Sequence, residues 1–185
     1  TGLTAQPSNI RRGVGWGVSI KNLMYSEGFD DFSTARCRIS DGVVTIKFAT
    51  SEVGQGFTML AQQIARTVLG VDDVILDTID TQVGSAGSTS ASRQTWMSGG
   101  AVQVACQAAL AQLFDHVAAK FEMTRSELEI DGTDIVDRLT QRRVSVSDAI
   151  SEIDIDCTEE YHHPPTDDLD ENGQGKGHVA YAFVA

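Results

Sequence analysis

A chain of 185 residues, 41% of them hydrophobic, carries enough apolar material for one ordinary core, and its formal charge of −12 at pH 7 argues against nucleic-acid or anionic-membrane binding through its overall field. No run approaches the roughly eighteen apolar residues of a membrane span, and the first residues lack the charged-then-apolar pattern of a signal peptide. Cys37, Cys106 and Cys157 are odd in number and widely spaced with no CxxC pair, which suggests neither a disulfide framework nor an iron–sulfur or zinc site and reads as buried, reduced thiols. The expectation is a single soluble, cytoplasmic domain over residues 1–185, with 1–9 a flexible polar start.

From Gly13 to Ile20 the large residues Val14, Trp16, Val18 and Ile20 alternate with Gly13, Gly15, Gly17 and Ser19, the period of a strand. Its bare glycine face admits a closely packed helix, another backbone or a flat ligand. Lys21 to Asp31 reads as a polar loop. Ser33 to Ser40 alternates again, Asp41-Gly42 supplies a two-residue hairpin turn, and Val43 to Ala49 returns with Val44, Ile46 and Phe48 on the buried side.

The hairpin delivers the chain to Glu52-Val53-Gly54-Gln55-Gly56, a glycine-bearing turn that opens a helix from Phe57 to Leu69. Phe57, Leu60, Ala61, Ile64, Ala65 and Val68 form one apolar stripe, and Gly70 suits the position just past the helix end. A strand from Val74 to Asp80 leads into a second turn, Gly84-Ser85-Ala86-Gly87-Ser88-Thr89-Ser90-Ala91-Ser92-Arg93, with Ser90 or Ser92 able to cap a long apolar helix from about Gln94 to Lys120. Gly99-Gly100 within that helix costs about 1 kcal/mol per glycine against alanine, a cost that close approach of a ligand or a backbone would justify. Each turn places backbone N–H groups at the positive end of a helix, an arrangement that holds an anion.

Beyond Lys120 the signals are weaker. Thr124 and Glu127 form a capping box for a short turn, or Leu128 to Ile130 and Ile135 to Val136 form strands around Asp131-Gly132. Ser147 caps a short helix from Asp148 to Ile153, Asp156 to His163 reads as a strand ended by Pro164-Pro165, and Thr166 to Lys176 is an acidic loop. His162 and His163 are strand neighbours facing opposite ways, and Asp167, Asp168, Asp170 and Glu171 lack EF-hand spacing, so both groups read as structural or solvated. The chain stops within the apolar alternation His178 to Ala185, which suggests an excised domain whose sheet continues in further sequence.

Glu-Val-Gly-Gln-Gly before an amphipathic helix, followed about thirty residues on by the Gly-Ser-Ala-Gly-Ser-Thr-Ser-Ala-Ser-Arg run and Gly99-Gly100-Ala101-Val102, resembles the molybdenum-binding large subunit of the xanthine dehydrogenase and aldehyde oxidoreductase family. The resemblance extends from about Arg12 to Ala185, the middle of a much longer family subunit, and includes Asn172-Gly173-Gln174-Gly175. It implies an α+β fold with helices packed on one face of a mixed sheet and a pyranopterin molybdenum cofactor in its molybdopterin or cytosine dinucleotide form. Gly54, Gln55 and Gly56 then lie against the pterin, Ser88, Thr89, Ser90, Ala91 and Ser92 line the cofactor between pterin and phosphate, and Arg93 reaches the phosphate or terminal nucleotide. A glutamine amide suits the first role because it donates and accepts without adding charge.

For the whole enzyme the resemblance implies hydroxylation of an N-heterocycle or an aldehyde, with electrons leaving through iron–sulfur and flavin domains or subunits. The family's general-base glutamate lies in a segment downstream of Ala185, so no catalytic residue is assigned here, and the isolated chain is expected to be inactive and to bind no cofactor. On the residues alone, the first turn reads rather as a helix start whose glycines merely fit the backbone with Gln55 solvated, and the composition of the second also permits a flexible Gly/Ser connector, against which stands its place between a strand and a capped helix. The competing readings are a non-catalytic small-anion or ligand-binding module and a structural interaction domain. No P-loop, Rossmann glycine pattern or GxSxG nucleophile elbow is present.

Overall fold

The computed structural model describes residues 9–22, 30–77, 81–165, 167–174 and 180–184. In chain order, β1 (Val18–Asn22) precedes the hairpin of β2 (Phe32–Ser40) and β3 (Val43–Phe48), then α1 (Phe57–Leu69), β4 (Ile75–Leu76) and the long α2 (Arg93–Phe121). A three-stranded unit, β5 (Leu128–Asp131), β6 (Asp134–Asp137) and β7 (Arg143–Ser145), leads through α3 (Val146–Ile150) to β8 (Ile155–His162) and β9 (Ala180–Val184). The main sheet runs β4-β3-β2-β8, antiparallel except for the parallel β3–β4 pair. Mixed strand direction and helices on one face give the α+β architecture that the sequence implied.

The strand period divides the sheet into two unlike faces. Ala35, Cys37, Ile39, Val44, Ile46, Phe48, Ile155 and Cys157 are all buried against the helices, while Arg36, Arg38, Lys47, Asp156 and Thr158 take the other side. Charge pairs fill part of that open face, among them Arg36 with Asp156 and Lys47 with Asp77 at 3.4 Å. In α1 the apolar stripe buries Phe57, Ala61, Ala65 and Leu69, and Gly70 closes the helix in the left-handed conformation at φ 69°. A side chain at Gly70 would meet the Gly132 carbonyl at 2.7 Å, so the three-stranded unit packs directly against this helix end.

The helix α2 buries Ala101, Val102, Ala105, Cys106, Ala109, Leu113 and Val117 between the sheet and α1, leaving Gln103, Gln107 and Gln112 outside. Its two glycines are explained by side chains rather than by a ligand or a backbone. A Cβ at Gly100 would lie 2.6 Å from the Tyr161 ring of β8, and one at Gly99 would touch Ile64 and Leu60 of α1 at 3.4 and 3.7 Å. The three cysteines, distant in sequence, converge here: Cys37 and Cys157 are register partners across β2 and β8, and Cys106 comes from α2 above them. A hydrogen bond with Cys37, reinforced by burial, raises the Cys106 thiol well above its ordinary value, so it stays protonated.

Several sequence expectations shift for identifiable reasons. The strand expected from Gly13 starts at Val18, where the ladder with β9 begins, because a strand needs a partner as well as an alternation. Ahead of it Val14 and Trp16 are 88% and 82% exposed, and nothing lies within 4 Å of a Cβ at Gly13, Gly15 or Gly17, so no helix covers that face among the described residues. The expected loop at Lys21 gives up its first two residues to β1, and 23–29 lies outside the described residues. The strand expected from Val74 is two residues long, and 78–80 likewise lies outside.

Thr124 stands at the N-cap of a 3-10 turn, Arg125–Glu127, without the side-chain bond of a capping box, and the hairpin alternative around Asp131-Gly132 forms as β5 and β6. The helix α3 begins two residues early, with Ser145 rather than Ser147 at its N-cap, because Val146, Ala149 and Ile150 are the residues that bury. The strand expected at Asp156 runs one residue earlier, and His162 is exposed while His163 is buried.

Gly100→Ala tests the close contact. Despite the gain of about 1 kcal/mol in helix propensity, the clash with the Tyr161 ring is expected to leave a net loss of about 1–2 kcal/mol in urea unfolding.

Candidate functional site

The first turn closes on its own chain. The Glu52 carboxylate reaches back over the start of α1, Oε1 accepting from the Gly54 and Gly56 amides at 2.8 and 3.0 Å and Oε2 from the Thr58 amide at 3.1 Å and its hydroxyl at 3.3 Å. Positive φ at Gly54 and Gly56, 97° and 81°, turns these N–H groups inward. The positive end of α1 thus holds an anion, as expected, but the anion is the chain's own. The Gly56, Thr58 and Gly54 donors hold the Glu52 carboxyl at about 2, against an ordinary 4.5.

Gln55 is exposed. Its side-chain nitrogen donates to the Ser51 carbonyl at 2.9 Å and its oxygen accepts from the Val53 amide at 2.7 Å. One amide proton and one lone pair remain uncommitted among the described residues, so Gln55 can still donate and accept at once.

The second turn is moulded around Arg93, which is 1% exposed. Its Nε donates to Asp31 at 2.6 Å and one Nη2 proton to the other Asp31 oxygen. The remaining protons go to the carbonyls of Phe32 at 3.2 Å, Ala86 at 2.7 Å and Ser88 at 3.1 Å. A guanidinium has five N–H donors, and all five are used. The phosphate contact expected of Arg93 therefore has no donor left, and the acid that offsets its unfavourable place in the first turn of α2 is Asp31.

Two glycines make room for this wrap: a Cβ at Gly87 would overlap the guanidinium, and one at Gly84, φ 131°, would meet the Thr34 hydroxyl at 2.6 Å. Ser92 occupies the N-cap without a side-chain bond, and the Arg93 amide instead donates to the Ser90 carbonyl at 3.0 Å. Ser88, Thr89, Ser90 and Ala91 are exposed, Ser92 partly so. The rim is a row of neutral hydroxyls over a buried cation already neutralised.

The two turns lie at the same end of the main sheet, where β3 ends and β2 begins. Thr50, fully buried just before the first turn, donates to the Ser98 hydroxyl in the second turn of α2 at 2.8 Å. Ser33 of β2 lies 2.9 Å from the same Ser98 oxygen and 3.3 Å from the Ser85 carbonyl. The Thr34 amide also donates to Ser85, at 2.7 Å. Sequence reasoning passed over Ser33, Thr50, Gln94 and Ser98, because isolated polar residues in strands and helices carry no motif. Asp31 likewise falls in the expected loop, its signal being only that a buried arginine must have an acid. Among the described residues no group of three or more His, Cys, Asp or Glu side chains is arranged to hold a metal ion.

The structure is thus a two-layer α+β domain with two adjacent amide- and hydroxyl-bearing corners at one end of its main sheet. The family profile described as molybdopterin cofactor-binding domain matches residues 3–185, and the chain belongs to that family, which bears out the resemblance carried by the two turn motifs. Solved structures share the fold. They include a Cu,Mo-CO dehydrogenase in its carbon monoxide reduced state, with 21% identity, TM-score 0.69 and coverage of 92% of this chain and 26% of that one. Quinoline 2-oxidoreductase from Pseudomonas putida 86 matches with 19% identity, TM-score 0.67 and coverage of 84% and 23%. Reconstituted CO dehydrogenase from Oligotropha carboxidovorans matches with 21% identity, TM-score 0.70 and coverage of 92% and 26%. The chain thus spans about a quarter of the length of the chains it matches. No curated protein matches it. Among the described residues no helix is long and apolar enough to cross a membrane.

Two substitutions test the corners. Arg93→Ala leaves Asp31 buried and unpaired and frees the carbonyls of Ala86 and Ser88, so a loss of about 3–5 kcal/mol is expected by chemical denaturation. Arg93→Lys, which cannot fork, should rescue little of it. For Glu52 the folded pKa is depressed, so its contribution is fully present above 4.5 and fades as pH falls towards about 2. Glu52→Gln should therefore be less stable than the parent at pH 7 and converge with it across that interval, as followed by thermal melts from pH 7 to 2.

Proposed function

We propose that this chain forms one wall of the molybdopterin site in a longer molybdenum hydroxylase that acts on an N-heterocycle or an aldehyde. The observation that carries the reading is the Thr50–Ser98 hydrogen bond, which fixes the two turns at one end of the sheet where a single cofactor can meet both. Gly54, Gln55 and Gly56 form the corner for the pterin, where Gln55 has a donor and an acceptor to offer and the glycines leave open space, with nothing within 4 Å of a Cβ at Gly54 or Gly56. Ser88, Thr89, Ser90, Ala91 and Ser92 form the corner between pterin and phosphate. Hydroxyls and backbone amides suit a phosphorylated ligand there, although the supporting cation, Arg93, shapes the corner from beneath.

These donors fit the group. When bound, the cofactor supplies the two-electron redox chemistry of hydroxylation, and the protein's share is placement. Glu52 keeps the first corner closed and rigid, and Asp31 with Arg93 does the same for the second. No residue of this chain is assigned as acid or base, and Glu52 is unsuited to proton transfer near neutrality because four hydrogen bonds hold it ionised. The whole enzyme would pass electrons to iron–sulfur and flavin domains or subunits. A free-standing anion-binding module is the weaker reading, since the chain's own carboxylates already meet the amides of the first corner and the guanidinium of the second.

Metal analysis and pterin fluorescence on two proteins test this. The isolated chain is expected to carry no more molybdenum than its buffer and to hydroxylate nothing. A full-length subunit containing the domain is expected to carry both, and to lose most of its pterin in Gln55→Ala. Near-stoichiometric molybdenum in the isolated chain, or none in the longer protein, would overturn the reading.

A further inference from the structure

Away from the two corners, the loop between β6 and β7 has a shape that is built in. Asp137, itself buried, accepts at one carboxylate oxygen from the Leu139 and Thr140 amides at 2.9 and 3.0 Å. Its own amide donates to the Arg142 carbonyl at 3.0 Å and its carbonyl accepts from the Gln141 amide at 2.8 Å, while the Gln141 side chain donates to the Arg138 carbonyl at 2.9 Å. A loop tied this closely has little freedom left to lose on docking. What it presents is an aliphatic knob beside a free cation. Leu139 is 73% exposed, and residues 138–143 hold three arginines of the chain's 14 basic residues. Arg138 is spent on Glu127 at 3.2 Å, and Arg143 on Asp131 and Asp134 at 2.5 and 3.1 Å. Arg142 is exposed and its guanidinium has no ion pair or hydrogen bond among the described residues.

A complementary cleft of about 330 Å³ is formed by the segment after α1, the β5–β6 turn and α3. Val71 and Ile150 line it with apolar surface, and Asp72 and Asp73 stand beside them, both exposed and neither in an ion pair among the described residues. The knob follows Asp137 at one end of β6, whereas Thr133 of the cleft precedes Asp134 at the other, so the loop cannot fill its own cleft. A second copy can. We propose that the knob of one copy docks in the cleft of another, Leu139 against Val71 and Ile150, and Arg142 against Asp72 and Asp73. Two copies of net charge −12 repel over most of their surfaces, and this arginine-rich loop is where approach to carboxylates is favourable. The contact joins unlike surfaces, so each copy has one knob and one cleft to offer. It goes beyond the cofactor reading and does not depend on it.

Sedimentation velocity of the chain tests this, because so small a contact should give weak self-association, with a dissociation constant on the order of 100 µM. Leu139→Ser and Arg142→Glu should each weaken it about tenfold, and the double variant Asp72→Arg, Asp73→Arg should do the same. Mixing the Arg142→Glu chain with that double variant should restore association, now between unlike partners. A parent chain that stays monomeric at about 1 mM, or association indifferent to these substitutions, would overturn the proposal. In the full-length protein, copies carrying Arg142→Cys mixed with copies carrying Asp72→Cys and treated with a disulfide-forming oxidant should cross-link to one another in preference to themselves. Failure to form the mixed product would equally overturn it.

Discussion

The buried guanidinium of Arg93 is the constraint around which the candidate site is organised. Taking a charge out of water costs several kcal/mol, and the cost is offset only if every donor finds an acceptor. Here the acceptors are one carboxylate and three backbone carbonyls, and two of those carbonyls belong to the loop that forms the second corner. The loop must therefore curl around the side chain, and Gly87 is needed where a Cβ would strike it. Because Asp31 directly precedes β2, the central strand of the hairpin and of β8's ladder, the same interaction fixes the corner to the sheet.

The first corner follows the same logic. At the start of α1 the positive helix end is met by Glu52, and at the start of α2 the positive side chain is met by Asp31. Both corners are electrostatically settled before any ligand arrives. What they turn outward is neutral: a glutamine amide, hydroxyls and glycine backbone. In the proposed role, a polar, phosphorylated ligand would meet these neutral groups rather than a strong local cation, in a chain of net charge −12.

Polar and apolar layers divide the work within the same helix. The N-terminal turns of α2 carry Arg93, Gln94 and Ser98 into hydrogen-bonded burial, while from Ala101 onward the buried face is alanine, valine, leucine and cysteine. The small residues let α2 lie close to the sheet, where Tyr161 rests on Gly100 and Cys106 meets the Cys37–Cys157 pair. Tight apolar packing at one end holds the polar end in register. That registry is what brings Ser98 within hydrogen-bond reach of Thr50.

The sequence by itself determined what depends on neighbours along the chain: the β2–β3 hairpin from its alternation and Asp41-Gly42, the limits of α1 from its stripe and Gly70, the existence of both corners from their glycines, and the family from the order of the two motifs. These are local properties, written in periods of two or 3.6 residues and in left-handed turn positions. Only the tertiary structure decided which partners the polar residues take. Whether Arg93 reaches a phosphate or Asp31, whether Gly54 and Gly56 offer their amides to a ligand or to Glu52, and whether Gly100 faces a cofactor or Tyr161 are choices between acceptors and surfaces far apart in sequence. Hydrogen-bond satisfaction and close packing settle such choices only when the distant strands are in place, which is why N–H donors that the sequence offers to a ligand are spent on Asp31 and Glu52 in the fold.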